Sequence, residues 1–158
     1  MRGSISALSK KSKKRSGGKA RTGPQPEFCS NLYLDENLGS CREILEILYA
    51  AKFPFDRHLD FFDKGTLDEN WLWLPGFTGW PILTKDKAQR YTPLEKAKIL
   101  KYKLKIFAFS SGNLKGAAMA ELLRINLRRI DAWTKKLPAP FVVSITQTGL
   151  YLRFGGGK

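Results

Sequence analysis

The run Ile106-Phe107-Ala108-Phe109 contains no polar residue. A strand with one wet face alternates apolar and polar positions, whereas a strand that is apolar throughout belongs to a sheet covered on both faces. This run therefore places a buried sheet at the centre of the fold, and the neighbouring patterns agree with it. Leu32-Tyr33-Leu34 is a second apolar run, and it ends abruptly in Asp35-Glu36-Asn37. Ile44, Leu45, Ile47, Leu48 and Ala51 then recur at helical spacing. Residues 53–62 hold a short strand-like piece, followed by a turn at Lys64-Gly65. Thr66-Leu67-Asp68-Glu69 reads as a capping box opening a short helix, with Asp68 at its second position, that Pro75-Gly76 stops. Residues 80–83 read as another buried strand. Thr92-Pro93-Leu94-Glu95 is a further capping box, with proline at the first helical position of a helix reaching about Tyr102. A Ser110-Ser111-Gly112-Asn113 turn precedes a long helix to about Lys136, and residues 141–146 and 150–154 suit a terminal hairpin around Gly149. Strands and helices alternate for most of the chain. The expected fold class is α/β, three layers (α/β/α) around a central, mainly parallel sheet. In such sheets the ligand crevice lies beyond the carboxyl ends of the strands.

Residues 1–26 differ from the rest. They hold eight Lys/Arg, no Asp/Glu and few apolar residues, so they cannot bury enough surface to order themselves. We expect a disordered basic tail at 1–26, one folded domain at 27–154 and a disordered tail at 155–158. The 158 residues, 42% of them hydrophobic, suffice for one domain with its own core. No apolar run reaches the roughly 18 residues that a membrane span needs, and the N-terminus lacks the apolar middle of a signal peptide. The expected location is the cytoplasm, an organellar transit peptide being the alternative for the basic, serine-rich start. Cys29 and Cys41 read as free thiols of a reducing compartment, and with a single histidine they cannot form a zinc site.

The formal charge of +14 is unevenly spread, with a net −6 over residues 27–84 and +12 over residues 85–158. A strongly basic chain points to a polyanion partner. Acidic residues in the middle of such a chain repel phosphates unless a cation lies between them. Three of them fall where the crevice belongs: Asp35 just after the first strand, Asp86 just after the strand at 80–83, and Asp68 in the first turn of a helix. Carboxylate oxygens on rigid elements suit Mg²⁺ or Mn²⁺. Each also has a plainer role: Asp35 and Asn37 suit helix capping, Asp68 suits the helix dipole and Asp86 suits a turn.

Taken together, Leu34-Asp35-Glu36-Asn37, Gly65-Thr66-Leu67-Asp68-Glu69-Asn70-Trp71 and Leu83-Thr84-Lys85-Asp86-Lys87 resemble the PIN-like domains related to VapC-type toxins. The resemblance covers about residues 31–154. It implies a sheet with helices on both faces, one or two Mg²⁺ or Mn²⁺ ions, cleavage of RNA and, in many cases, a cognate antitoxin protein; toxins of this kind often form homodimers. It also implies Asp35, Asp68 and Asp86 as catalytic metal ligands, with Glu69 as a further ligand and Glu36 and Asn37 in support. The sequence departs from the family where a fourth acidic residue is usual, between the first and third. Glu43, Glu46, Asp56, Asp60 and Asp63 are candidates, as are Glu36 and Glu69, and spacing does not choose among them.

The metal would activate a water and stabilise charge on the phosphate oxygens. Lys85 and Lys87 flank Asp86 and suit a phosphate, or equally a solvated turn. Lys96, Lys98, Lys101, Lys103 and Lys105 form a candidate RNA track, with Lys101 and Lys103 taken as RNA-binding; a plain solvated helix face accounts for some of it, because only Lys98 and Lys101 are neighbours at helical spacing. The Ser110–Asn113 turn suits a phosphate at a helix N-terminus or a plain loop. His58 reads as structural, and Trp71, Trp73 and Trp80 as core. Two rival readings stand beside the nuclease: a PIN-like module that only holds RNA or an antitoxin, and another α/β enzyme with a strand-end aspartate. The second fits less well, because Asn37 stands where a phosphatase of that kind carries a second aspartate.

Overall fold

The computed structural model describes residues 28–85, 92–111 and 113–157. The expected tail at 1–26 lies outside them, as do Asp86, Lys87 and Gly112. Six strands form one sheet: β1 (Leu32–Leu34), β2 (Phe55–Arg57), β3 (Ile82–Thr84), β4 (Lys105–Phe109), β5 (Phe141–Thr146) and β6 (Gly149–Gly155). Their order across the sheet is β2-β1-β3-β4-β5-β6. All pairings are parallel except β5 with β6, the terminal hairpin. β6 runs to Gly155, one residue past the expected domain limit, and Gly156 N–H donates to the Pro140 carbonyl at 2.9 Å.

Among the described residues the α-helices are α1 (Arg42–Ala51), α2 (Asp68–Trp71), α3 (Trp73–Thr78), α4 (Pro93–Tyr102) and α5 (Gly116–Lys136). Alternate residues of each central strand feed two separate cores. Leu32, Leu34, Leu83, Phe107, Phe109, Phe141, Val143 and Ile145 pack with Ile44 and Leu48 of α1 and with Leu123, Leu127 and Ile130 of α5. Tyr33, Ile82, Ile106, Ala108 and Val142 pack on the opposite face with Leu72, with Leu74 of α3 and with Ile99 of α4. The uninterrupted apolar runs thus have a physical cause: both faces of the sheet are covered. The fold is the expected three-layer α/β/α arrangement.

Three local expectations are corrected. Thr66 does not cap α2. Its hydroxyl donates to the Asp63 carbonyl at 2.6 Å, Leu67 occupies the cap position without a side-chain bond, and Asp68 is the first helical residue rather than the second. Pro75-Gly76 does not stop the helix either; both lie within α3, which ends at Gly79 in the left-handed region at φ 76°. Pro75 is tolerated because it stands in the first turn, where an N–H has no helical acceptor. Gly76 is needed because α3 lies against the end of α4: a β-carbon there would sit 2.5 Å from the Tyr102 carbonyl oxygen. Trp71 and Trp80 pack against the core, but Trp73 is exposed. The capping box of α4 forms as expected. Glu95 N–H donates to Thr92 Oγ1 at 3.2 Å, and Thr92 N–H donates to Glu95 Oε2 at 3.4 Å.

Candidate active site

The chain leaves β1 at the sheet position where topology opens a crevice. From β1 it passes to β2 on one side and later returns to β3 on the other, so β1 and β3 bound a switch point. Asp35 is the first residue past β1, and strand alternation points its side chain to the face of Tyr33. Thr84 ends β3 with the same parity as Ile82, on that same face. Parallel pairing sets the two side by side, and Asp35 N–H donates to the Leu83 carbonyl at 3.2 Å. The Thr84 hydroxyl donates to Asp35 Oδ2 at 2.5 Å, while Leu38 N–H donates to Oδ1 at 2.9 Å. The Asp35 carboxylate is therefore oriented from both sides.

A cleft of about 150 Å³ lies over this pair. Its polar lining is Asp35, Thr84, Asp68, Glu95 and Lys98, and its apolar wall includes Trp71, Ile82 and Ile99. α2 contributes Asp68 and α4 contributes Glu95 and Lys98, one helical turn apart. Lys98 Nζ donates to Asp68 Oδ2 at 3.0 Å, and this bond with Asp68 holds the ammonium pKa above its usual value. Tyr33 is fully buried below Asp35, its hydroxyl 2.7 Å from Nδ1 of the buried His58. Burial, reinforced by the charges of Asp35 and Asp56, pushes the phenol well above its ordinary range. Burial likewise lowers the His58 pKa, against the pull of Glu36 and Asp68. His58 is thus a core residue wedged against Trp71 and Phe62.

Two of the three expected aspartates, Asp35 and Asp68, line this one cleft; the third, Asp86, lies outside the described residues. Glu69 is exposed and does not line the cleft. Glu36 accepts the Gly65 N–H at 3.1 Å and so ties the loop after β1 to the turn before α2. Asn37 is exposed, and Lys85 is half-buried at the end of β3. Lys101 and Lys103 are exposed; Lys101 Nζ sits 5.2 Å from the Tyr102 ring centroid, and Lys103 closes α4 at φ 54°. Among the candidates for a fourth acid, Asp56 accepts a bond from Asn31, Asp60 pairs with Arg57 and Glu46 pairs with Arg42. None of the three lines the cleft. Glu95 does; it lies after Asp86, outside the stretch in which the fourth acid was expected, and its capping box gave it a local role.

Among the described residues, no group of three Asp, Glu, His or Cys side chains stands close enough to hold a metal ion. The donor set of the cleft nevertheless suits a hard cation: it offers carboxylate and hydroxyl oxygens and no thiol or imidazole. The Lys98 ammonium on Asp68 shows that this carboxylate already takes a cation as its partner.

The fold and cleft define an α/β domain with an acidic crevice at the carboxyl ends of parallel strands. A family model described as a PIN like domain matches residues 30–111, and the chain belongs to that family. The match contains all three candidate aspartates, Glu95 and Lys98, and stops before α5 and the terminal hairpin. No curated protein and no solved structure matches the chain. Among the described residues, no helix is long and apolar enough to cross a membrane.

Proposed function

We propose that this protein is a metal-dependent endoribonuclease, and that it serves as the toxin of a toxin–antitoxin pair of the VapC type. The observation that carries the nuclease reading is the convergence of Asp35 and Asp68 on one cleft beside Thr84, which ends β3. Asp35, Asp68 and Asp86 would hold Mg²⁺ or Mn²⁺, which supplies an activated water and a counter-charge for the phosphate. Thr84 and Leu38 N–H fix the Asp35 carboxylate before any ligand arrives, so no reorganisation is needed at that position. Lys85 and Lys87 beside Asp86, with Lys101 and Lys103, supply positive charge for the RNA backbone, and the basic residues of 1–26 add affinity that depends on salt.

The deciding experiment replaces Asp35 or Asp86 by Asn and follows cleavage of RNA in Mg²⁺ or Mn²⁺, together with growth inhibition on expression. Both variants are expected to lose cleavage and toxicity. Cleavage at the wild-type rate in both removes the proposed site. Loss of cleavage without any toxicity in the wild type keeps the nuclease and discards the toxin role. One observation favours the second reading, a non-catalytic module that holds RNA or an antitoxin: Lys98 already neutralises Asp68. Wild-type protein that binds RNA yet leaves it intact in both metals would establish that reading.

A further inference from the structure

The Lys98–Asp68 pair joins helices whose charged members stand 30 residues apart in the chain. It lies inside the cleft rather than on an outer face. Of the lysines on α4 and just beyond it, Lys98 alone lines the cleft; Lys96 and Lys101 are exposed and sit over the Phe154 and Tyr102 rings. Its position is rigid: the Thr92–Glu95 capping box fixes the start of α4, and the adjacent Ile99 is buried in the core. The two side chains retain 33% and 47% of their exposure, and an ion pair so open to water is weak and exchangeable.

We propose that Lys98 is a resident counter-ion of the cleft, which holds Asp68 until a divalent cation displaces it and then turns its ammonium to the RNA phosphate. This rests on the nuclease reading above and gives Lys98, one of the five lysines of the expected RNA track, a specific role in the cleft. The physical reasoning is competition for one carboxylate. A divalent ion next to Asp35 and Asp68 carries more charge than an ammonium and takes several oxygens at once. Lys98 then loses its bond to Asp68, keeps the nearby charges of Glu69 and Glu95, and stays tethered to α4 at the wall of the same cleft. A phosphate that approaches the cation brings new negative charge to that wall, and the freed ammonium meets it. A lysine acting only as a strut between α2 and α4 predicts a different pattern, because its removal would loosen Asp68 and weaken any cation bound there.

The test titrates full-length protein with Mn²⁺ by calorimetry and measures affinity for a short, uncleavable RNA in saturating Mn²⁺. Lys98→Met is expected to bind Mn²⁺ about two- to fivefold more tightly than wild type, because nothing has to be displaced. The same variant should bind the RNA more weakly, with the salt dependence reduced by about one phosphate contact. Lys98→Arg keeps the charge and should restore both values towards wild type. Lys98→Gln, one atom shorter, uncharged and still able to donate a hydrogen bond, replaces Lys98→Met if the latter does not unfold cooperatively. Mn²⁺ affinity that is unchanged or weaker in the uncharged variants overturns the proposal. Asp35→Asn separates this failure from failure of the nuclease reading. If wild type binds Mn²⁺ and Asp35→Asn does not, the cation site stands and the Lys98 variants alone decide; if wild type binds none, both readings fall.

Discussion

The Thr84 hydroxyl donates to the Asp35 carboxylate across the parallel pairing of β1 and β3. Two segments 49 residues apart are thereby joined at the point where the sheet opens. Thr84→Val keeps the shape and removes the donor. We expect a loss of about 1–2 kcal/mol in stability and a fall of about tenfold in Mn²⁺-dependent RNA cleavage, while Thr84→Ser retains both. Urea unfolding and a cleavage assay check this. Full activity in Thr84→Val would mean that Asp35 needs no support from its neighbour.

Gly76 of α3 lies against the last residue of α4. A β-carbon would meet the Tyr102 backbone carbonyl, which cannot swing aside as a side chain does. Gly76→Ala is expected to destabilise the fold by about 1–3 kcal/mol. The strain also reaches the cleft, since it pushes on the helix that carries Glu95 and Lys98. Thermal unfolding and the Mn²⁺ titration should shift together; a shift in stability alone would show that α4 is held from its other end.

Asp131 works at the opposite end of β1. Its Oδ1 accepts the N–H groups of Cys29 and Ser30 at 3.1 and 2.8 Å, and Lys135 lies 3.3 Å from Oδ2. Burial raises its pKa, but the bonds from Ser30 and Lys135 outweigh this and hold the group charged. Asp131→Ala strips two backbone donors of their acceptor and should cost about 1.5–3 kcal/mol, with RNA cleavage per folded molecule intact. A specific loss of cleavage would connect the start of β1 to the site in a way the geometry does not.

His58 gives a pH dependence with a definite sign. Its pKa in the folded protein lies below the ordinary 6.5, so the unfolded chain takes the proton first as pH falls. Its contribution to stability is complete above about 6.5 and is lost as acid is added towards the lower folded value. The denaturation midpoint should therefore fall between about pH 7 and pH 5, and His58→Gln should flatten that part of the curve. An identical slope in the variant would assign the loss to other groups.

Much of the fold was legible because its cause is local. An apolar strand at every position, as in 106–109, means cover on both faces, and the two cores supply it. The periodicity of α1 and the Thr92–Glu95 box are likewise satisfied within a few residues of themselves. Thr66 misled because a threonine three residues before a glutamate is equally at home in a turn, and here the Asp63 carbonyl competes for its hydroxyl. Trp73 misled because bulk alone does not say which side of a short helix a ring occupies. At the site, Asp35 was legible from its place after β1. Glu95 was hidden by a complete local explanation, and the Lys98–Asp68 bond by the 30 residues between its ends. Partners that only the tertiary fold brings together leave no spacing to read.

The two borders of the sheet have a consequence for assembly. β2 has only three residues and is preceded by Pro54. β6 is interrupted by a register shift opposite Val142 and Val143 and leads into Gly155-Gly156-Gly157. Among the described residues neither offers a long uninterrupted row of free amides and carbonyls: β2 is short, and the register shift breaks the row along the seven-residue β6. Self-association of this protein should therefore proceed through helix surfaces, leaving each copy with its own separate sheet and poorly suited to growing into fibres.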